Sequence, residues 1–209
     1  VGEIGGTGNS IITVGAFNSK SCTQMYFNNN NPKCTFDVAT ELFDIADFSS
    51  KGPTADGRIK PDITAPGNRI VSSVSRFDSN YIFTGGTFNE NAEYADVVSG
   101  LTDNTNNWYF AANQGTSMSA PMVTGIIALW LQANPNLNVA DIKTILQNTS
   151  DTDSFTGTGS AIPNNTWGRG KIDAYDGILY INQFLNIQSF DYQNLIKVYP
   201  NPFKNQLTI

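Results

Sequence analysis

The stretch Gly115-Thr116-Ser117-Met118-Ser119-Ala120-Pro121 leads directly into Met122, Val123, Ile126, Ile127, Leu129, Trp130 and Leu131, an apolar run ending near Asn134-Pro135. Its apolar residues leave little polar relief on any side, so the pattern predicts a helix buried nearly all round. Pro121 falls in the first turn, where a missing N–H costs little. Gly125 is unfavourable in a helix by about 1 kcal/mol and reads as a point of close packing. Thr116, Ser117 and Ser119 thus place hydroxyls at a helix N-terminus, where unpaired N–H groups and the helix dipole favour negative charge. Serine and threonine are also the usual caps of helices. Position alone leaves capping and chemistry both open.

Upstream, Ile11 to Phe17 is β-branched and apolar between Gly8-Asn9 and Asn18-Ser19, which reads as a buried strand. Residues 20–44 are polar and loop-like. Phe48 to Pro53 and Asp56-Gly57 are rich in turn residues. Short strands are expected at Ile59 to Ile63 and Ile70 to Val74, on either side of Ala65-Pro66-Gly67. Residues 76–113 form a second polar stretch, whose aromatics, among them Tyr81, Phe88, Trp108 and Phe110, suggest an ordered insertion. Downstream, Asn138 followed three residues later by Asp141 predicts a capped amphipathic helix carrying Val139, Ile142, Ile145 and Leu146. Ala174 to Leu185 reads as another helix. A strand followed by a buried helix indicates an α/β layered domain.

Composition narrows the function. The 209 residues carry a net charge of -6 with only 12 Lys+Arg, against a nucleic-acid partner, which needs a basic face. There is no histidine. The chain therefore has no imidazole to activate a serine and no histidine ligand for a metal. Cys22 and Cys34 bracket a polar loop, and a disulfide between them would stabilise it by roughly 3 kcal/mol in the loop-closure model; two free thiols are the alternative. The longest fully apolar run, Ile126 to Leu131, is too short to span a bilayer. The opening Val1-Gly2-Glu3-Ile4-Gly5-Gly6 is neither an initiator methionine nor a signal peptide, and reads as a cut through a longer protein.

Gly115 to Pro121 resembles, nearly letter for letter, the active-site serine motif of the subtilisin-like serine proteases. Phe48 to Pro53, Lys60-Pro61-Asp62-Ile63-Thr64-Ala65-Pro66-Gly67 and Trp167 to Ala174 are similar to family landmarks, and stand in family order over roughly residues 9 to 185. The resemblance implies a partial subtilisin-like α/β domain with a mostly parallel sheet and a buried helix carrying the serine, truncated at its N-terminal side. Residues 1–186 would be the C-terminal half of the peptidase domain, with loop insertions near 20–44 and 76–113.

Carried over residue by residue, the resemblance implies that Ser117 is the nucleophile and that its backbone N–H is one oxyanion donor, with Thr116 beside that site. Met118 would lie against the nucleophile. Asp62 reads as structural, and Met122, where the family usually has a non-catalytic histidine, as a packing change. The family's chain order is acid, base, serine, so the catalytic Asp and His, and the oxyanion asparagine, are expected upstream; Asn9 sits too close to the Ile11 strand to be that asparagine. In subtilisin itself, losing the base costs on the order of a millionfold in turnover, so the isolated chain is expected to be inert. Its expected partners are a peptide or protein substrate and the N-terminal half of the same protease. No cofactor is required. The family commonly carries structural calcium, but no contiguous ligand motif marks a site here.

Two other readings stand beside this one. A subtilase-like domain without catalysis could serve as a surface or adhesion module, with residues 76–113 as its contact surface. The serine-carboxyl peptidases, where glutamate replaces the histidine base, share a glycine-threonine-serine motif but fit the Lys60 to Gly67 landmark less well. In the tail, Val198-Tyr199-Pro200-Asn201-Pro202-Phe203 resembles the opening of the sorting domain used by the type IX secretion system. Residues 187–209 would then be a linker and the start of that β-rich domain, implying a secreted or cell-surface protein of a Gram-negative bacterium.

Overall fold

A computed structural model describes residues 6, 8–20, 22–27, 31–36, 41–75, 77 and 109–184. The expectations for residues 78–108 and 187–209 lie outside them. Strand β1 (Val14–Asn18) pairs in parallel with β4 (Ile63–Asn68), in the register Val14↔Ile63, Gly15↔Thr64 and Ala16↔Ala65. The strand expected from Ile11 to Phe17 forms only from Val14, and it is buried from Gly15 on, while Ile11 is exposed. The far edge of β4 is covered by the downstream segment: Thr64 N–H donates to Gly170 O, and Ile172 N–H to Thr64 O, both at 2.9 Å.

The short strand expected at Ile59 to Ile63 is corrected. Strand β4 begins where that reading ended and runs through Ala65-Pro66-Gly67, which had read as a break. Proline is tolerated because the pairing is irregular at that point: Phe17 faces Pro66 and Asn18 faces Asn68, which leaves Gly67 as the extra residue of a bulge. Residues 20–44 are also more regular than expected. Strands β2 (Cys22–Phe27) and β3 (Asn31–Phe36) form an antiparallel pair. Its register sets Cys22 opposite Phe36 and Cys34 opposite Gln24, so the two cysteines are diagonal neighbours rather than directly opposed. Strand β5 (Ile70–Val74) pairs antiparallel with β6 (Tyr109–Asn113), which brings the two ends of the 76–113 insertion together.

Among the described residues there are three α-helices: α1 (Thr116–Ala133), α2 (Val139–Thr149) and α3 (Ala174–Phe184). Asn138 caps α2 through Ala140 N–H and Asp141 N–H, while the Asp141 carboxylate accepts from Asn138 N–H. This is the reciprocal capping box read from the sequence. The core is built from Ile63 and Ala65 of β4, Val123, Trp130 and Ala133 of α1, Ile142, Ile145 and Leu146 of α2, and Ile181 of α3. Trp130 is fully buried, and its Nε1 donates to Ala174 O at 3.1 Å, tying α1 to the start of α3. A Cβ on Gly177 would overlap the Trp130 ring, so α3 approaches α1 closely at a residue without a side chain.

The expectation that α1 is buried nearly all round is also corrected. Ser119, Val123, Trp130 and Ala133 face inward, while Met122 (37%), Leu129 (51%) and Leu131 (37%) are exposed. Gly125, expected at a close contact, has nothing within 4 Å of where its Cβ would stand. Among the described residues, no element covers this stripe.

The segment after Trp167 is anchored by Lys171, which is only 8% exposed. Its ammonium pairs with Asp153 and lies 5.1–5.7 Å from the ring centres of Phe17, Trp167, Phe43 and Phe155. Cation–π attraction from several faces and one carboxylate offset the loss of water around a buried charge. The downstream segment is thereby fixed to the end of β1 and to the 41–46 loop.

Candidate active site

The head of α1 is held against the end of β4 by backbone contacts. Gly115 N–H donates to Gly67 O at 2.8 Å, and Met118 N–H donates to Gly115 O at 3.0 Å. Gly115 has a φ of 142°, a conformation that L side chains rarely adopt, and this residue turns the chain sharply into the helix. Gly67 completes the fit. A Cβ there would stand 2.5 Å from Ala16 Cβ and inside contact distance of Ser119 Oγ. Two sequence landmarks, Ala65-Pro66-Gly67 and Gly115 to Pro121, are thus one packed unit in space.

This geometry removes the capping reading. The N-cap position is Gly115, and no side chain caps the helix. Ser117 lies in the first turn and is exposed. Ser119, in contrast, is fully buried, and its Oγ has no hydrogen-bond partner among the described residues. Of the three hydroxyl residues, Ser117 is open to solvent beside N–H groups that have no side-chain cap. Such a place suits charge developing on an oxygen. The Met118 sulfur lies beside Gly115, where a Cβ would meet it at 3.7 Å.

Thr116 borders a cleft of about 470 Å³ that runs to Phe48, Ser50, Pro53 and Pro61. The helix head and the Phe48 to Pro53 landmark therefore share one concavity. Asp62 lies elsewhere: its carboxylate accepts from Thr13 N–H (2.8 Å), Thr13 Oγ1 (2.9 Å) and Lys60 Nζ. Burial pushes this carboxyl upward, but the Lys60 ammonium and the two Thr13 donors outweigh it and hold the pKa below the ordinary 3.8. A carboxylate so engaged ties β1 to the start of β4. Asn9 lines a second cleft, which shares Lys60 with the one that Thr116 borders, and its carbonyl accepts from Lys143 Nζ.

The subtilase family's sequence model matches residues 2–170, most of the chain. The chain belongs to the subtilase family. It is 32% identical over 165 residues to the minor extracellular protease Vpr of Bacillus subtilis, covering 78% of this chain and 17% of that protein. It is 34% identical over 146 residues to the serine protease AprX of the same organism, covering 70% of this chain and 26% of the relative. Among solved structures, the CspB protease of Clostridium perfringens superposes with a TM-score of 0.51 at 26% identity, covering 86% of this chain and 28% of that one. The subtilisin-like α/β fold is shared, and the chain spans about a quarter or less of the length of these two Bacillus relatives.

Among the described residues, no three His, Cys, Asp or Glu side chains converge as a metal set, and no helix is long and apolar enough to cross a membrane. Sequence reasoning missed the buried Ser119 and the role of Gly67 in seating α1. Small residues carry no periodic signal, and only the packing of helix head on strand end reveals them.

Proposed function

We propose that Ser117 is the nucleophile of a serine endopeptidase, acting once this chain is joined to the N-terminal half of its domain. The observation that carries this reading is the exposed Ser117 at the uncapped head of α1. In the complete domain, an imidazole from the upstream half accepts the Ser117 proton as Oγ attacks the scissile carbonyl carbon. The oxyanion accepts from Ser117 N–H, with Thr116 beside it. The imidazolium then protonates the leaving amine, and water releases the acyl group by the reverse sequence. No step passes through calcium.

The open stripe Met122, Gly125 and Leu129 supports the same reading. A contiguous apolar face on a helix that is otherwise part of a core is the surface a missing partner would bury. The matched relatives extend well beyond the part this chain covers. An extracellular location fits the relative named as an extracellular protease, and the Val198 to Phe203 motif supports sorting through a type IX system.

The test is labelling with a serine-directed fluorophosphonate. The protein that includes the upstream half should be modified at Ser117, and Ser117→Ala should abolish the label. This chain alone should stay unlabelled. A folded longer protein that takes no label would reject the enzyme reading and favour a non-catalytic subtilase-like surface module.

A further inference from the structure

Four of the chain's 12 Lys+Arg converge on one cleft of about 250 Å³ on a protein whose net charge is -6. Arg58 and Lys60 come from the segment before β4, Lys143 from α2 and Arg169 from the segment after Trp167. Among the described residues, Asp62 is the one carboxylate in the lining. From this convergence we propose a binding site for a small dianionic oxyanion of the phosphate or sulfate class. The site is independent of the proteolytic reading.

Lys60 Nζ is committed to Asp62 and to Ile11 O at 2.9 Å. Arg58 pairs with Asp56. Lys143 Nζ stands 3.8 Å from Asp62 Oδ1, whose carboxylate Lys60 already engages, and donates to Asn9 O. The Arg169 guanidinium makes no ion pair among the described residues, although its backbone N–H is fixed on Asp62 O at 3.0 Å. Among the described residues, these four cations against Asp62 and Asp56 leave a local excess of two positive charges, contributed by Lys143 and Arg169. A dianion balances that excess, a monoanion does not, and the planar guanidinium fork suits the oxygens of a tetrahedral anion. The cleft has room for such an ion and water. Its walls are held by the Asp62 network and by α2, so the cations are brought together before any ligand arrives.

Calorimetric titration of this chain with inorganic phosphate at pH 7 should show one site with Kd on the order of 1 mM. Arg169→Gln and Lys143→Gln should each weaken binding about tenfold, the loss of one charge-assisted contact. Arg169→Lys should recover part of the loss, and Lys20→Gln, at an exposed residue outside the cleft, should bind like the parent. Because the Arg169 side chain makes no ion pair, its replacement leaves the fold intact and keeps the test valid even if Lys143→Gln unfolds. Any of the following results would overturn the site. One is no heat of binding up to about 50 mM phosphate. Another is an equal response to chloride at matched ionic strength. The others are acetate binding as tightly as phosphate, and wild-type affinity in Arg169→Gln.

Discussion

Replacing Gly67 by alanine puts a methyl group between β1 and the head of α1. The new Cβ would stand 2.5 Å from Ala16 Cβ and 3.1 Å from Gly115 O, and would press on Ser119 Oγ. Ordinary carbon contacts lie near 3.5–4.0 Å, so strand or helix head must move by about 1 Å. Rotating the Ser119 hydroxyl away does not help, because Ala16 Cβ is fixed to the backbone of β1. Overpacking of this kind costs typically 1–3 kcal/mol, and with Ala16 Cβ on one side and the Gly115 carbonyl on the other the upper end, about 3 kcal/mol, is expected. With a urea slope of about 2 kcal/mol per molar, the unfolding midpoint should fall by roughly 1.5 M. Gly125→Ala is the matched control: with open space around it, alanine should gain about 1 kcal/mol of helix propensity and raise the midpoint by roughly 0.5 M. Urea titration followed by tryptophan fluorescence reads both. A Gly67→Ala midpoint within about 0.25 M of the parent would refute the packing of strand end on helix head. If, as proposed, an upstream half covers the Met122, Gly125 and Leu129 stripe, Gly125→Ala should change sign and destabilise in the protein that includes it.

Trp130→Phe removes the Nε1 donor to Ala174 O and part of a fully buried ring, and should cost about 2–3 kcal/mol in urea unfolding. Asn138→Ala removes the acceptor for two α2 N–H groups and should cost about 1 kcal/mol, lowering the thermal midpoint by roughly 2–4 °C. Asp62, with its pKa held below 3.8, contributes stability that is present above that value and lost as pH falls through the lower folded-state pKa. The parent should therefore lose its advantage over Asp62→Asn as urea midpoints are taken from pH 5 toward pH 2. A stability gap between the two that does not change with pH would contradict the Lys60 and Thr13 contacts.

Sequence alone determined what depends on local order. The Asn138–Asp141 capping box, the α3 segment and the β5 strand could be placed because each is a pattern of near neighbours. Ser117 could be singled out because a contiguous motif surrounds it. Tertiary structure decided the rest, for reasons of contact between distant residues. Strand β4 continues through Pro66 because a bulge at Gly67 absorbs the lost pairing with β1, some fifty residues earlier. The β2–β3 pairing lay hidden because Cys22 to Phe27 and Asn31 to Phe36 mix apolar and polar residues without a regular alternation. The same apolar letters in α1 serve a buried face at Val123 and Trp130 and an open one at Met122 and Leu129. Which of them meets a neighbour is settled by the elements packed around the helix. The basic cleft was invisible for the same reason: Arg58, Lys143 and Arg169 are scattered along the chain and become one site only when β4, α2 and the closing segment meet.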